Sequence, residues 1–164
     1  TEHIAKNDGS PSSLGALGFY CFLREDYAQA FEYYDASIKL DASDSYLPWN
    51  VLINAHLSGN REGFNRWFDK GISAFQKELR MHPEDSFARF RLAAVYSWAD
   101  PPRRDDSLRE INIVDSTPDL DSMIQFLVAK HLAELKEDDR AISALRKAIG
   151  KGHEINIPRM RSAS

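Results

Sequence analysis

The sequence predicts an all-α fold built from antiparallel helix hairpins, and two observations carry this prediction. Apolar residues recur at steps of three and four along most of the chain, which is the spacing of one face of an α-helix. Clusters of Gly, Pro, Asp and Ser interrupt the pattern every few helical turns, as connections between short helices do. No stretch makes a convincing strand.

The composition is that of a water-soluble globular chain. Of 164 residues, 43% are hydrophobic and 28% are charged, and a chain of this length can bury a sizeable core. The most apolar stretch, MIQFLVA at 123–129, is far shorter than the roughly 18 residues of a membrane span, so we expect no membrane partner. A cytoplasmic location is favoured, although the sequence leaves the compartment open.

The charge balance argues against nucleic acid as a partner. Lys and Arg number 21 against 25 Asp and Glu, which gives a net charge of −4. No global positive field therefore attracts a phosphate backbone, and this counts against a helical repeat that reads RNA. The single cysteine, Cys21, cannot form an internal disulfide, and its apolar neighbours predict a small buried side chain.

Three regions follow from the pattern. Residues 1–13 are polar and rich in Gly, Pro and Ser, which predicts a flexible N-terminal arm. Residues 14–150 form the helical domain, and 151–164 are a C-terminal tail.

The first hairpin joins two short helices through 24–26, and its apolar stripes are Leu14, Leu17 and Cys21, then Tyr27, Phe31, Tyr34 and Ile38.

The second hairpin contains an unusually long helix. Gly59-Asn60 predicts a left-handed end of its first helix, and Pro83 marks the end of its second. From Phe64 to Pro83 is 19 residues, against 12 from Ala30 to Ala42 in the first hairpin, so the helix at 60–81 is predicted to be about two turns longer. The first helix of this hairpin has the helical spacing Trp49, Leu52 and His56, and the apolar stripe of the second is Phe64, Trp67, Phe68, Ile72, Phe75 and Leu79.

The third and fourth hairpins repeat the arrangement less regularly. The third breaks at Asp100-Pro101-Pro102, and the weak pattern after the break predicts a short second helix. The fourth is predicted to open at 116–119, with a hydroxyl N-cap and a proline in the first turn, and to end at Gly150. The stripes are Phe90, Leu92 and Tyr96, then Leu108, Ile111 and Val114; and Phe126, Val128 and Leu132, then Ala141, Leu145 and Ala148.

The hairpins resemble the tetratricopeptide repeat, a unit of 34 residues with the pattern W-x2-L-G-x2-Y, A-x3-F, P. The first contains Leu14-x2-Leu17-Gly18-x2-Cys21 and Ala30-x3-Tyr34, and the second Trp49-x2-Leu52-Ile53-x2-His56. Leu17 to Leu52 is 35 residues, Leu52 to Leu92 is 40, and Leu92 to Val128 is 36. Small residues let the helices of a hairpin approach closely; these are Gly18, Ala30, Ala93, Ala129 and Ala141.

The resemblance implies a tetratricopeptide-like right-handed superhelix whose first helices line a concave surface. Members of this family typically bind an extended peptide or a helix of another protein there, so the resemblance implies a non-catalytic scaffold or adaptor. The tail resembles the segment that closes such arrays in bacterial regulatory proteins, and this favours the regulatory part of a larger protein. The candidate peptide-binding residues on the concave surface are Asn50, Asn54, Arg91, Trp98, Phe126 and Lys130.

Three other interpretations stay open. Exposed apolar residues at an array end, notably Ile155, Ile157 and Met160, could pair two copies into a homodimer with no peptide ligand. A generic helical bundle is the alternative fold. An enzyme is the least favoured, because the five histidines are scattered and no nucleophile, base and acid occur together; His131 with Lys130 and Glu134 makes only a surface cluster. We expect no cofactor and no metal site.

Overall fold

The computed structural model describes residues 9–41 and 47–150. This part of the chain forms eight α-helices and no strand, which confirms the predicted all-α class. Each helix packs against the next along the chain. In the described ranges no helix has the length and apolar character needed to cross a bilayer. The helices are α1 (Pro11–Leu23), α2 (Tyr27–Leu40), α3 (Leu47–Leu57), α4 (Arg61–Met81), α5 (Ser86–Trp98), α6 (Arg104–Asp115), α7 (Ser122–Glu134) and α8 (Asp138–Gly150).

Helix α1 begins inside the region predicted to be an arm. The hydroxyl of Ser10 accepts a hydrogen bond from the Ser13 amide at 3.3 Å, and Pro11 occupies the first turn, where its missing N–H costs nothing. Residues 11–13 are therefore helical. Residues 1–8 and the tail 151–164, including Ile155, Ile157 and Met160, lie outside the described residues.

The predicted start of the fourth hairpin is wrong. Helix α7 is capped by Asp121, whose carboxylate accepts from the Met123 amide at 2.8 Å, rather than by a hydroxyl at 116–119. The Ser116 and Thr117 hydroxyls instead donate to the carbonyls of the preceding helix, α6, at 2.7 and 3.1 Å. Hydroxyl and carboxylate side chains cap helices about equally well, so the sequence pattern did not distinguish the two positions.

Helix lengths agree with one prediction and correct another. Helix α4 has 21 residues, against 11 to 14 in the others that the structure describes, which confirms the lengthened helix. Helix α6 has 12 residues and is longer than α3, so the prediction of a short helix is wrong.

Gly59 ends α3 with a φ of 71°, which confirms the predicted left-handed end of this helix.

The helices approach one another over small residues. Each of the five small residues singled out in the sequence is buried. A Cβ at Gly18 would lie 2.9 Å from the Tyr34 ring, and one at Gly63 would lie 2.5 Å from the Phe31 ring. Both distances are shorter than carbon atoms tolerate, so α1 and α4 lie as close to α2 as they do because these positions have no side chain.

The buried side chains form two clusters joined at one tryptophan. The first core cluster takes residues from α1 to α5 and the second takes residues from α5 to α8. Trp49 packs against both, with its ring 6.5 Å from the Phe75 ring and 6.4 Å from the Phe90 ring. Helix α5 contacts both α3 and α7. The first helices of the last three hairpins are therefore neighbours.

Candidate functional site: a groove across three helices

A groove runs across α3, α5 and α7. Its narrow part, the crevice, has a volume of about 100 Å³, and its wide part, the basin, about 530 Å³. The two parts adjoin each other, because Trp98 and Glu134 line both. The crevice is lined by Trp49, Ile53, Phe90, Ala94, Trp98, Leu127, Lys130, His131 and Glu134, and the basin by His56, Ser97, Trp98, Pro102, Arg104, Glu134, Leu135 and Lys136.

The wall of the groove is a stack of aromatic rings centred on Trp98. The Trp98 ring lies 4.4 Å from the His56 ring at an interplanar angle of 11°, and 5.6 Å from the Trp49 ring at 27°. Trp49 and His56 are seven residues apart on α3, roughly 10 Å along the helix axis, which leaves space for one ring between them. Trp98 is therefore held between two rings of another helix and is positioned before any ligand arrives.

A polar contact crosses from the floor of the crevice, on α7, to the preceding helix, α6. The buried His131 ring has its Nε2 2.9 Å from the Ser107 hydroxyl of α6 and its Nδ1 3.6 Å from a Glu134 carboxylate oxygen. The nearby His131 ring N–H lowers the pKa of the Glu134 carboxyl, against burial, which acts to raise it. The prediction that His131 belongs to a surface cluster is wrong, since its ring is covered by α5 and α6.

The order Ser107, His131, Glu134 is that of a hydrolase triad, but its geometry does not serve that chemistry. Ser107 is 0% exposed and does not line the groove, so its hydroxyl cannot reach a substrate bound there. A buried histidine nitrogen needs a hydrogen-bond partner, and Ser107 supplies it. The contact ties α6 to α7 below the crevice.

Cationic side chains lie in and beside both parts of the groove. An Arg61 guanidinium nitrogen donates to the Trp98 carbonyl at 2.8 Å, and Arg104 donates to the Leu135 carbonyl at 3.0 Å, so both cap helix C-termini. Lys130 and Lys136 are exposed and form no ion pair within the described ranges. Burial, and then the Arg61 charge, lowers the pKa of His56, while Glu134 acts in the opposite direction.

The six candidate residues predicted from the sequence occupy different places. Trp98 and Lys130 line the crevice. Asn50 lines a separate cleft of about 410 Å³ between α1 and α3, and the half-buried Phe126 lines neither part of the groove. Asn54 and Arg91 are 1% and 2% exposed. Their proposed contact with a ligand stays a prediction, but neither side chain is presented at the surface.

The two buried residues have local structural partners. The Asn54 amide donates to the Asn50 carbonyl one turn earlier at 2.8 Å. The Arg91 guanidinium lies 4.2 Å from the centre of the Phe87 ring and 3.8 Å from a Glu78 carboxylate oxygen, so it faces α4. One residue turns a helix by about 100°, which suffices to direct Phe90 into the crevice and Arg91 away from it.

Sequence reasoning missed much of the groove lining, notably Trp49, Ile53, His56 and Leu127. Trp49 and His56 match repeat positions, which predicts packing rather than contact with a ligand. The spacing of Phe90, Ala94 and Trp98 at steps of four is a signal that these three share one face of α5. It does not by itself show whether that face is covered.

Similarity to known proteins assigns no role to the groove. The chain matches no protein-family model, and no curated protein is significantly similar to it in sequence. In the part of the chain that the structure describes, no group of three or more His, Cys, Asp or Glu side chains is placed to hold a metal ion.

Proposed function

We propose that this chain is a non-catalytic scaffold that binds a protein or peptide segment in the groove across α3, α5 and α7. The proposed arrangement is a tetratricopeptide-like right-handed superhelix in which these first helices form the concave surface. One observation carries the proposal: a single groove is lined by residues from three successive hairpins. An extended chain lying across those helices would contact every lining helix.

The size and lining of the crevice favour a peptide side chain as its occupant. Its volume of about 100 Å³ is well below the roughly 300–1,000 Å³ of small-molecule sites. It is comparable to one aliphatic side chain, and Ile53, Ala94 and Leu127 give it apolar walls. Binding energy in protein interfaces concentrates on such buried anchors. The open basin beside it accommodates the polar residues that flank an anchor.

The proposal is tested with peptides selected on the immobilised chain from a phage-displayed library, followed by calorimetry. The half-buried Leu127 lines the crevice, so the Leu127→Asp variant places a charge against apolar walls. We expect it to weaken the selected peptides at least tenfold. Asn54 and Arg91 are unsuitable for this test because both are buried, and their substitution would disturb the fold.

Met123→Asp is the matched control. Met123 lies on the same helix, is exposed and lines neither part of the groove. We expect it to change affinity less than twofold, with both variants retaining the wild-type circular dichroism spectrum. Equal affinities for Leu127→Asp and the wild type would remove the groove from the binding site.

Self-association is the second candidate, and exposed apolar residues on the last helix favour it. Ile142 and Ile149 are 49% and 51% exposed and, being seven residues apart, lie on one face of α8. A dimer formed through this face would dissociate when both residues are changed to Glu. Light scattering that shows a monomer for the wild type at high concentration rules this candidate out.

A further inference from the structure

The charge around the groove is opposite in sign to that of the whole chain. The chain carries a net charge of −4, yet Lys130 and Lys136 line the groove and Arg61 lies beside it at the Trp98 carbonyl, all three without an ion-pair partner in the described ranges. Arg104 is also present, paired with Glu137. The single carboxylate that lines the groove belongs to Glu134, and it lies against His131.

The four cations come from three different parts of the fold. Arg61 begins α4, Arg104 begins α6, Lys130 lies on α7, and Lys136 lies in the turn after α7 with a φ of 60°. Residues that are distant in sequence are thus gathered at one site, which a solvated charged face of a single helix does not do. Clefts with apolar walls focus such a field.

We propose that the segment bound in the groove is acidic, with an aliphatic side chain in the crevice and carboxylates beside it facing Lys130, Lys136 and Arg61. This inference rests on the proposed function, and it names the chemistry of the partner. The apolar crevice selects an aliphatic anchor side chain, and the cations select negatively charged residues on either side of it in the peptide. The partner is a protein segment that carries both features.

The aromatic rings of the groove favour an acidic peptide over RNA, the other common polyanion. Binding of single-stranded RNA uses bases stacked on free aromatic faces. The two faces of Trp98 are taken by Trp49 and His56, and Phe90 is buried under Trp49 and His131. Trp98 and Phe90 therefore offer no open face of the kind that stacking requires.

The test uses three libraries of short peptides with a leucine at the centre. The flanking positions carry Asp and Glu in the first library, Lys and Arg in the second, and Ser and Gly in the third. At low salt we expect the full chain to retain the acidic library on the order of tenfold better than the neutral one, since two or three exposed ion pairs form. The preference should decline as salt screens these pairs.

A charge reversal gives the sharper result. In the Lys130→Glu/Lys136→Glu variant the preference should invert, so that the basic library is retained best. The matched control is Lys77→Glu/Arg80→Glu, which changes the net charge equally on the exposed side of α4, away from the groove. The control should keep the wild-type preference, and both variants should keep the wild-type circular dichroism spectrum.

The outcomes separate this inference from the proposed function. Equal retention of the three libraries, together with loss of binding in Leu127→Asp, would overturn the acidic partner and keep the peptide groove. Retention of no library would count against both. A labelled oligouridylate that binds more tightly than the acidic library would overturn the inference in favour of nucleic acid, as would an inverted preference in the control variant.

Discussion

Asp35 is the buried carboxylate around which α2 and α4 are held together. Its side chain accepts a hydrogen bond from the Trp67 indole at 2.6 Å, and the Lys39 ammonium and Arg66 guanidinium lie 2.6 and 3.5 Å from its second oxygen. Lys39 and Arg66 keep access to water, whereas the Trp67 indole N–H points into the core. A buried donor left without a partner is costly.

Asp35→Ala should therefore lower the free energy of unfolding by about 2 kcal/mol, the penalty for an unsatisfied buried donor. The measurement is urea denaturation followed by circular dichroism. Asp69→Ala on the exposed side of α4 is the control and should change stability by less than about 0.5 kcal/mol. Equal stabilities of the two variants would show that the Trp67 contact contributes nothing.

His56 makes the fold sensitive to mild acid. Burial lowers its pKa in the folded chain, so the unfolded chain binds a proton near pH 6.5 while the folded chain remains neutral to lower pH. The unfolded state then binds more protons, and stability falls as pH drops below about 6.5. His56→Phe keeps a ring against Trp98 and should reduce this dependence in urea denaturation between pH 7.5 and 5.

His82→Gln is the comparison for that series because the His82 side chain is exposed. It should retain the slope of the wild type below pH 6.5. A His56→Phe variant whose stability falls as steeply as that of the wild type would place the acid sensitivity elsewhere.

The burial of some residues can be predicted from the sequence. For others it depends on which side of the helix faces a neighbouring helix. The buried Cys21 and the small residues at helix contacts were predictable from their apolar neighbours and spacing. Arg91 and His131 were not, because a charged or polar residue on a short helix is buried or exposed according to neighbours that are distant in sequence.

Two glycines within helices differ in whether the structure has space for a side chain. A Cβ at Gly71 of α4 would fall on the side chain of Leu52, which is fully buried in α3. At Gly15 of α1 the nearest atom is the Ser37 hydroxyl oxygen at 3.9 Å, an ordinary contact. Alanine at the first position must displace a packed neighbour, whereas at the second it fits.

Gly71→Ala should lower the free energy of unfolding by roughly 1–3 kcal/mol through overpacking. Gly15→Ala should raise it by roughly 0.5–1 kcal/mol because alanine favours the helix more than glycine does. Thermal and urea unfolding of the two variants measure the difference. A Gly71→Ala variant at least as stable as the wild type would mean that α3 and α4 are not in the close contact described here.

At the element scale the apolar period was sufficient to place all eight helices of the described ranges. The lengthened α4 was also predictable, because the distance between its apolar start and Pro83 is unambiguous. The caps at Ser10 and Asp121 were not, since several cap-forming residues precede each helix and the neighbouring packing selects one of them.

For the whole molecule, Trp49 connects the two core clusters. Its ring lies against rings of α4 and α5, so its removal should weaken the coupling between the hairpins more than the hairpins themselves. We expect Trp49→Ala to lower overall stability by about 3 kcal/mol. In hydrogen exchange, α6 to α8 should then open separately from α1 to α4.

Phe64→Leu is a suitable comparison for that variant, because Phe64 is buried within the first cluster alone. It should lower protection without separating the two halves. Uniform exchange across all helices of Trp49→Ala would contradict a coupling role for this residue.

The sequence predicted more of the architecture than of the site. The repeat spacing predicted hairpins that pack in order, and consecutive packing is what the structure shows. The site depends on which sides of α3, α5 and α7 face one another, and on cations drawn from α4, α6 and α7. Which residues line the groove together depends on how the hairpins pack against one another. The apolar spacing within a single hairpin does not predict it.

The most direct test is an amide chemical-shift titration of the isotope-labelled chain with a peptide from the acidic library. We expect shifts at Ile53, Ala94 and Leu127, on three helices whose residues line the groove together, with little change at Lys77 and Ile142. Shifts confined to Ile142, Ile149 and the rest of α8 would contradict a binding site across α3, α5 and α7.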